Sequence, residues 1–310
     1  KEENLNPEGG DGRYVWVPDG DDDFVLVDTQ EPLSEEDLRE VERAGQNNQY
    51  WHNRNNHQRL IPNNIQSVHN SFYQNNRPIL VVSHGYNGKG SNSMNTLITR
   101  NYLDEVDGNV IVVDWRNAAS GSYSLSVRKV PGIGQSLGHF LVWLINNAGG
   151  NWNNVHLVGF SLGAHVVGNA GRTAGRRAAR ITGLDPAGPQ WGGNSNALNR
   201  NDAQYVESIH TDGGWYGIFD PISDADFYPN GGRNRQPNCW VNSCSHSRAH
   251  ELFASTIRNN RFVGRQCANL QQVRDNQCTG NSLHMGNIGP GRQIPQKTLF
   301  PLINYGLFVT

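Results

Sequence analysis

The chain has 310 residues, with 26 Lys or Arg against 28 Asp or Glu, and a formal net charge of −2. This balance gives no electrostatic basis for binding nucleic acid. No apolar run approaches the ~20 residues that a membrane-spanning helix needs, so a transmembrane segment is not expected. The N-terminus, Lys1-Glu2-Glu3, has no signal-peptide pattern, which suggests a mature, processed chain. The length suits one large α/β domain.

The N-terminal segment, residues 1–49, is predicted to be a strap of a hairpin and a short helix packed on the main domain. Two apolar runs, Tyr14–Val17 and Phe24–Val27, are predicted to pair as strands, since Pro18-Asp19-Gly20 between them favours a turn. A capping-box pattern that begins at Ser34 then predicts a short amphipathic helix. No residue pattern in this segment indicates chemistry.

Residues 50–310 are predicted to form the main domain, in which strands alternate with helices. Continuous apolar runs at 79–87 and 109–116 suit strands that are covered on both faces, as in a parallel sheet. Residues 93–103 and 130–146 have the apolar spacing of helices. This alternation predicts an α/β fold with a central, mostly parallel sheet flanked by helices.

An apolar run that breaks at a serine between two glycines is the strongest chemical signal in the chain. A buried strand is predicted to end near Val158 and a helix to begin at Ala164, so Gly159-Phe160-Ser161-Leu162-Gly163 spans a strand-to-helix junction. A serine on such a turn needs neighbours without Cβ atoms, because its backbone is strained and the helix passes close to the strand. The pattern predicts that Ser161 is a nucleophile. The alternative is a glycine-flanked surface serine without a role.

The loop after the apolar run at residue 79 contains His84 and Tyr86. His84 precedes the nucleophile in the sequence and follows an early strand, which is a poor position for a catalytic base. A structural role as a buried histidine that supports the loop is therefore favoured. The backbone N–H of Tyr86, together with that of Leu162, is predicted to face the oxyanion that develops beside the nucleophile.

A candidate acid and a candidate base follow the nucleophile in the sequence. Asp185 follows a short apolar run and precedes a proline, so it should lie in a loop at the carboxyl edge of a strand. His246 lies just before a predicted helix at 249–257, and His250 would lie on that helix as a packing or surface residue. The order Ser161, Asp185, His246 is the order of nucleophile, acid and base in α/β-hydrolases.

The four cysteines lie at positions 239, 244, 267 and 278. Their spacing favours the sequential pairs Cys239–Cys244 and Cys267–Cys278 over a four-thiolate metal site, whose ligands usually form two short knuckles. Two local disulfides indicate an oxidising, secreted setting. Free thiols are the alternative.

Five segments, in order along the chain, together resemble the pancreatic-lipase family, and the resemblance extends from Tyr50 to the C-terminus. Within the family, the sequence resembles insect neutral lipases and wasp-venom phospholipases A1. The segments are Val158–His165, Ile181–Ala187, Ile209–Gly213, Asp226–Gly232 and Cys244–Arg248. The resemblance implies an α/β-hydrolase fold.

The resemblance also implies residue roles when the family's motifs are carried over by position. The nucleophile, acid and base then correspond to Ser161, Asp185 and His246. The oxyanion-hole amides correspond to Tyr86 and Leu162. The first disulfide would close the family's lid and the second would be a later bridge. The lid would consist of Trp240, Val241, Asn242 and Ser243.

The sequence departs from the family pattern in three respects. The lid and the neighbouring loop at 214–225 are short, as in the phospholipase A1 branch. A C-terminal β-sandwich domain is absent from the sequence, so colipase is not expected as a partner. Asp202 is the main acidic match to the family's calcium site, and no metal or cofactor is assigned.

The resemblance therefore implies a secreted carboxylic-ester hydrolase that acts on glycerolipids. Phospholipase A1-like or galactolipase-like activity is favoured because of the short lid, and the alternative is a triacylglycerol lipase or a small-ester esterase. A further alternative is a catalytically silent lipid-binding or yolk-type storage protein. The expected partner is a lipid substrate at a membrane or micelle surface, and the expected oligomeric state is a monomer.

Overall fold

The structure, a computed structural model, describes residues 13–18, 24–52, 58–259, 261–286 and 302–305. Its strands are β1 (Tyr14–Pro18), β2 (Phe24–Asp28), β3 (Gln49–His52), β4 (Gln58–Leu60), β5 (Ile79–Ser83), β6 (Asn109–Asp114), β7 (Val155–Phe160), β8 (Arg180–Leu184), β9 (Tyr205–Ile209), β10 (Ala225–Pro229), β11 (Val263–Cys267), β12 (Ser282–His284) and β13 (Leu302–Tyr305). Its helices are α1 (Glu35–Glu42), α2 (Ile65–His69), α3 (Ser93–Glu105), α4 (Arg116–Ala119), α5 (Tyr123–Ala148), α6 (Leu162–Thr173), α7 (Asn242–Arg258) and α8 (Leu270–Asp275). None of the helices in these ranges combines the length and the apolarity needed to cross a membrane.

The N-terminal hairpin forms as its two apolar runs predicted. Strands β1 and β2 pair antiparallel, with Trp16 opposite Leu26. The predicted turn residues 19–20 lie outside the described residues. Val17 and Val27 are buried in the main core, so one face of the hairpin contributes to that core.

Helix α1 begins where the capping-box pattern predicted. The Ser34 side chain accepts a hydrogen bond from the Asp37 amide, and the Asp37 side chain accepts one from the Ser34 amide. An ion pair between Glu40 and Lys129, with Oε2 and Nζ 2.5 Å apart, ties α1 to α5.

The division of the chain into a strap and a hydrolase domain stays a prediction.

Among the described residues, eleven strands form one sheet in the order β12-β11-β13-β10-β9-β8-β7-β5-β6-β3-β4. All neighbours from β13 to β6 in this order run parallel, and the antiparallel strands lie at the two sides. The carboxyl ends of the parallel strands therefore meet at one edge, where loops from different strands converge. The predicted α/β-hydrolase fold with a mostly parallel sheet is confirmed.

Helices cover both faces of the sheet. Successive residues of β5 enter different cores: Val81 belongs to the cluster that includes Val166 of α6, and Val82 to the cluster that includes Phe253 of α7 and Ile98 of α3. All of these side chains are fully buried. Burial on both faces explains why the strands appear in the sequence as continuous apolar runs.

Helix α5 begins at Tyr123, before its predicted start at residue 130, and continues through Pro131. A proline inside a helix removes one backbone hydrogen bond. The side chains of Val130 and Ile133 are fully buried, so tertiary packing stabilises the helix across this position. The local pattern alone therefore placed the helix start too late.

Helix α7 also begins earlier than predicted, at Asn242 rather than at Ala249. Its first turns are polar and have no apolar periodicity that could indicate a helix. Ser243 and Ser245 in these turns are nevertheless buried. His246 therefore lies on the helix and not before it.

Both predicted disulfides are present. Cys239 and Cys244 have Cα atoms 5.4 Å apart, and Cys267 and Cys278 have Cα atoms 4.4 Å apart. All four cysteines are within the described residues, and none is free. The first disulfide fixes the segment that enters α7, and the second closes a loop around α8.

Candidate active site

The predicted nucleophile lies on a strained turn between β7 and α6. Ser161 precedes the helix with φ 55° and ψ −122°, and L-residues rarely adopt a positive φ. Its amide donates to the Leu184 carbonyl at 3.0 Å, and its carbonyl accepts from the Ala164 and Ala187 amides. Its hydroxyl makes no capping hydrogen bond, although serine at this position usually does. The hydroxyl is therefore not committed to stabilising the helix.

The two glycines of the motif let α6 pass close to two strands. A Cβ added to Gly159 would lie 2.1 Å from the Gly163 carbonyl oxygen. A Cβ added to Gly163 would lie 2.4 Å from the carbonyl oxygens of Ser83 and His84. Both distances are far below the ~3.5 Å of normal atomic contact. A larger residue at either position would push α6 away from the sheet and move Ser161.

Asp185 directly follows β8, and its carboxylate is completely buried. Its Oδ1 accepts hydrogen bonds from the Thr211 and Asp212 amides at 2.8 and 3.1 Å. Its Oδ2 lies 2.5 Å from His246 Nδ1. A Cβ on Gly217 would lie 2.4 Å from Oδ1, so only glycine leaves room for the carboxylate there. These contacts hold the carboxylate in the position that orients the imidazole.

The imidazole of His246 is fully buried and held by three neighbours. Because Asp185 Oδ2 accepts from Nδ1, the proton lies on Nδ1 and Nε2 keeps a lone pair. The Phe160 ring packs against the imidazole with centroids 4.6 Å apart, and the Tyr216 ring meets it edge-on at 5.8 Å. Nε2 has no hydrogen-bond partner in the described part of the chain. Phe160 immediately precedes Ser161, so this packing places the predicted base against the residue next to the predicted nucleophile.

The loop that contains His84 lies against the nucleophile. A Cβ on Gly85 would lie 2.9 Å from Ser161 Cβ and 3.4 Å from its Oγ. His84 Nε2 accepts from the Trp115 amide at 3.2 Å, so Nδ1 donates to the Gly85 carbonyl at 2.9 Å. The imidazole also stacks on the Trp115 ring. His84 therefore supports the loop, as predicted.

The two amides predicted for the oxyanion hole belong to elements on either side of Ser161. Leu162 is the first residue of α6, so its N–H has no acceptor within the helix. Tyr86 follows Gly85 in the loop beside the nucleophile, and its hydroxyl donates to the Gly121 carbonyl at 2.6 Å. The N-terminal end of α6, which begins at Leu162, carries the positive end of the helix dipole and so favours negative charge beside it.

His250 lies one turn after His246 on α7 and is buried. Its ring meets the Phe160 ring edge-on, with centroids 5.2 Å apart. Burial, and then the charges of His246 and Arg248, lower the pKa of His250 to about 3. His250 is therefore a neutral packing residue behind the predicted base, His246.

The predicted lid is a short segment pinned to the start of α7. Trp240 and Val241 precede the helix, whereas the other two predicted residues, Asn242 and Ser243, form its first turn. The disulfide between the flanking cysteines keeps their Cα atoms 5.4 Å apart. The Trp240 side chain is 93 % exposed.

Asp212 is a second buried acid beside Asp185, and the sequence reasoning assigned it no role. Its Oδ2 accepts from the Tyr216 amide at 3.1 Å, and its Oδ1 has no partner among the described residues. Burial, and then the nearby charge of Asp185, raise the pKa of Asp212 well above its usual range. The site therefore favours a neutral Asp212. The available signal was its position in the loop that follows β9, three residues after the strand ends at Ile209.

Asp202, the acidic residue considered for calcium, is fully buried and bonded within the protein. Its Oδ1 lies 2.8 Å from Arg172 Nε, and its Oδ2 accepts from the Asn199 amide. Burial raises the pKa of Asp202 to about 6, although Arg172 acts in the opposite direction. Within the described ranges, no group of three or more His, Cys, Asp or Glu residues could hold a metal ion.

Comparison with known proteins identifies relatives over most of the chain. A family model described as Lipase matches residues 29–300. The chain is 30 % identical to pancreatic triacylglycerol lipase of Mus musculus over 271 residues, which cover 77 % of this chain and 58 % of that protein. It is 35 % identical to lipoprotein lipase of Sus scrofa over 227 residues, which cover 64 % of this chain and 47 % of that protein. It is 32 % identical to pancreatic lipase-related protein 2 of Bos taurus over 254 residues, which cover 73 % of this chain and 54 % of that protein. The chain thus spans about half the length of the curated relatives it matches.

One solved structure with a similar fold is alpha/beta hydrolase domain-containing protein 10 from mouse. The superposition has a TM-score of 0.40 at 12 % sequence identity and covers 60 % of this chain and 90 % of that one. The strand order and the turn at Ser161, rather than this superposition, establish the fold.

Proposed function

The chain belongs to the lipase family, and from this we propose that it is a serine carboxylic-ester hydrolase that releases fatty acids from glycerolipids. One arrangement supports the proposal most strongly. Ser161 sits on a strained turn, its neighbour Phe160 packs on the imidazole of His246, and that imidazole bonds the buried Asp185. A surface serine without a role would not account for backbone strain beside a histidine–carboxylate pair.

In the proposed reaction, Ser161 Oγ attacks the acyl carbonyl carbon while His246 Nε2 takes the hydroxyl proton. Asp185 stabilises the resulting imidazolium through Nδ1. When the tetrahedral intermediate collapses, His246 returns the proton to the departing alcohol oxygen and an acyl-enzyme remains. Water, deprotonated by His246, then attacks the acyl carbonyl, and the fatty acid leaves as Ser161 is regenerated.

The oxyanion of each tetrahedral intermediate is proposed to accept hydrogen bonds from the Tyr86 and Leu162 amides. Two observations support this role. The Gly85 backbone lies against Ser161, and Leu162 opens α6 with an N–H that the helix does not use. Donors of this kind each contribute about 3–4 kcal/mol to transition-state stabilisation in other serine hydrolases.

Polar glycerolipids are the proposed substrates, hydrolysed with phospholipase A1-like or galactolipase-like preference. The short segment between the cysteines is pinned to α7 by its disulfide, so it is not expected to fold over the cleft. An open cleft accommodates a lipid with a head group. The runner-up is triacylglycerol hydrolysis, since one 30 % identical relative is named for that activity.

Trp240 is proposed to contact the lipid surface. A tryptophan that is 93 % exposed leaves a large apolar area in water, and the flanking disulfide constrains the short segment that contains it. Tryptophan rings are enriched at membrane–water interfaces, where one end is apolar and the other is hydrated. The two disulfides also support the proposed secreted location.

Replacing Trp240 with serine should weaken binding to phosphatidylcholine vesicles by about tenfold or more. Even half of an indole's ~200 Å² of apolar area, transferred at ~25 cal/mol per Å², is worth about 2.5 kcal/mol. Vesicle co-sedimentation measures the effect, and hydrolysis of a soluble short-chain ester should be unchanged. Phe72→Ser is the matched control, because Phe72 is 55 % exposed but lies after α2, away from the lid. Equal losses in both variants would contradict a specific role for Trp240.

Fatty-acid release from phosphatidylcholine, a galactolipid and a triacylglycerol, measured in parallel, tests the proposed substrate class. We expect faster release from the two polar lipids, with no jump in rate when the substrate passes from monomer to aggregate. Release mainly from triacylglycerol with such a jump would favour the runner-up. No release from any of them would indicate a silent lipid-binding or storage protein.

A further inference from the structure

Two arginine side chains converge on one aromatic ring. The guanidinium carbon of Arg233 lies 4.5 Å from the centroid of the Phe219 ring, and that of Arg274 lies 5.2 Å from it. The two cations are therefore closer together than about 10 Å, which is the Debye length at 0.1 M salt. Both arginines are exposed. Each stacking contact is favourable, but the two like charges repel each other.

Among the described residues, the two arginine side chains have no paired acid to compensate this repulsion. In the described part of the chain, neither guanidinium group forms an ion pair or a hydrogen bond, and the Phe219 ring is the group that each one contacts. The acid next to Arg274 in the sequence, Asp275, accepts instead from the Gln271 amide group. Arg200 shows the commoner arrangement, because it pairs with Asp224. The Phe219 ring thus holds two arginine side chains that no acidic side chain pairs with directly among the described residues.

The ring that holds the arginines is fixed in place. Phe219 is buried with Tyr228 and Val273 in a small apolar cluster, and the Tyr228 hydroxyl donates to the Phe219 carbonyl at 3.0 Å. Arg274 lies on α8, whose loop is closed by the disulfide Cys267–Cys278. A rigid platform lowers the entropy that a bound ligand must overcome to order both side chains.

The pair lies next to the candidate active site. Arg233 follows Gly232, whose carbonyl accepts from the Gly213 amide at 2.8 Å, and the residue before Gly213 donates its amide to Asp185. Strand β10 leads to Arg233 and runs in the same direction as β7, which leads to Ser161. Arg233 therefore follows the same edge of the sheet as the nucleophile.

We propose that Arg233 and Arg274, stacked on Phe219, bind the phosphate group of an anionic phospholipid at the lipid surface. Guanidinium groups match phosphate oxygens with paired, charge-assisted hydrogen bonds, and a phosphate between them removes the repulsion. This inference rests on the proposed action at lipid surfaces and adds a preference for anionic ones. The preference would hold the protein at surfaces where its near-neutral net charge of −2 provides no attraction.

Vesicle binding by the inactive variant Ser161→Ala tests the proposal, because no lipid is consumed during the measurement. We expect stronger co-sedimentation with phosphatidylcholine–phosphatidylglycerol vesicles than with phosphatidylcholine alone. Arg233→Gln and Arg274→Gln should each lower binding to the mixed vesicles about fivefold, the usual contribution of one basic residue at an anionic surface. The variant with both substitutions should bind the mixed vesicles about 25-fold more weakly. When both arginines are present, added salt should remove the preference for the mixed vesicles.

Arg59→Gln is the matched control, since Arg59 is exposed on β4 at the far side of the sheet from β10. It removes the same charge and should change binding less than twofold. A second arm titrates inorganic phosphate into vesicle-free protein. If the arginine substitutions weaken binding of inorganic phosphate but leave vesicle binding unchanged, the site exists and its occupant is a soluble phosphate compound. If the arginine substitutions change neither vesicle binding nor phosphate binding, the proposal is wrong.

The outcome is separable from that of the proposed function. Vesicle binding is measured without catalysis, so arginine-dependent binding by a protein that hydrolyses no lipid would refute the proposed activity alone. Conversely, lipid hydrolysis by the Arg233→Gln, Arg274→Gln double variant, with unchanged binding to anionic vesicles, would refute this inference alone.

Discussion

Replacing Ser161 with alanine should lower kcat for lipid-ester hydrolysis by about five orders of magnitude, because no other group can form the acyl-enzyme. Binding and the oxyanion hole alone would leave a residual acceleration of about 10³–10⁴ over water. The fold should survive, since the Ser161 hydroxyl makes no capping hydrogen bond and alanine meets the same positive φ as serine. Fatty-acid release under single-turnover conditions measures the loss.

Ser126→Ala provides the matched control for this substitution. Ser126 is fully buried on α5, and its hydroxyl also lacks a hydrogen-bond partner among the described residues, but it is remote from the turn at Ser161 in sequence and lies on a different helix. Its kcat should stay within about twofold of the parent value, because its hydroxyl has no role in the proposed reaction. If Ser161→Ala hydrolysed lipid at the parent rate, Ser161 would not be the nucleophile.

The elements that position Ser161 and Asp185 were predictable because their signals are local. Continuous apolar runs identified β5, β6 and β7, since strands covered on both faces need apolar residues at every position. Glycines around Ser161 identified the strained turn, because close approach of α6 excludes a Cβ there. An acid between a strand and a proline identified Asp185 as a loop residue at the sheet edge.

The contacts that complete the candidate site were not predictable from the same signals. The amides of Thr211 and Asp212 reach Asp185 only because two loops far apart in the sequence meet at one edge of the sheet. Phe160 looked like an ordinary variable position of the serine motif, yet it packs on the imidazole of His246. The early start of α7 was hidden because its buried first turns consist of polar residues, whose burial depends on the site they line.

Replacing Asp185 with asparagine should lower kcat by about 10⁴-fold, equivalent to about 5.5 kcal/mol. The asparagine oxygen would accept from the Thr211 and Asp212 amides, so its NH₂ group would face His246 Nδ1 as a donor. The imidazole would then carry its proton on Nε2 and could not take one from Ser161. The ratio kcat/KM for a soluble ester, measured near neutral pH, tests this tautomer argument.

Asp212→Asn is the matched control, because it makes the same chemical change to the neighbouring buried acid. Asparagine can accept from the Tyr216 amide as Asp212 does, and the raised pKa of Asp212 favours a neutral side chain already, so kcat should change less than about threefold. A loss as large as that of Asp185→Asn would show that Asp212 is the ionised partner of the base.

The stability of Asp212→Asn should depend on pH in a direction set by the same raised pKa. In the unfolded chain Asp212 ionises near its ordinary value of 3.8, whereas the folded protein keeps its proton, so unfolding releases a proton above that pH. The free energy of unfolding of the parent protein therefore falls as pH rises from about 4 towards the raised pKa, by up to ~1.4 kcal/mol per pH unit from this group. Asparagine has no proton to release, so the stability of the variant relative to the parent should increase between pH 5 and pH 7 in urea unfolding. If the difference in free energy of unfolding between the variant and the parent stayed constant across this range, Asp212 would be ionised in the folded protein. It would then not differ from Asp185 in the way that we infer.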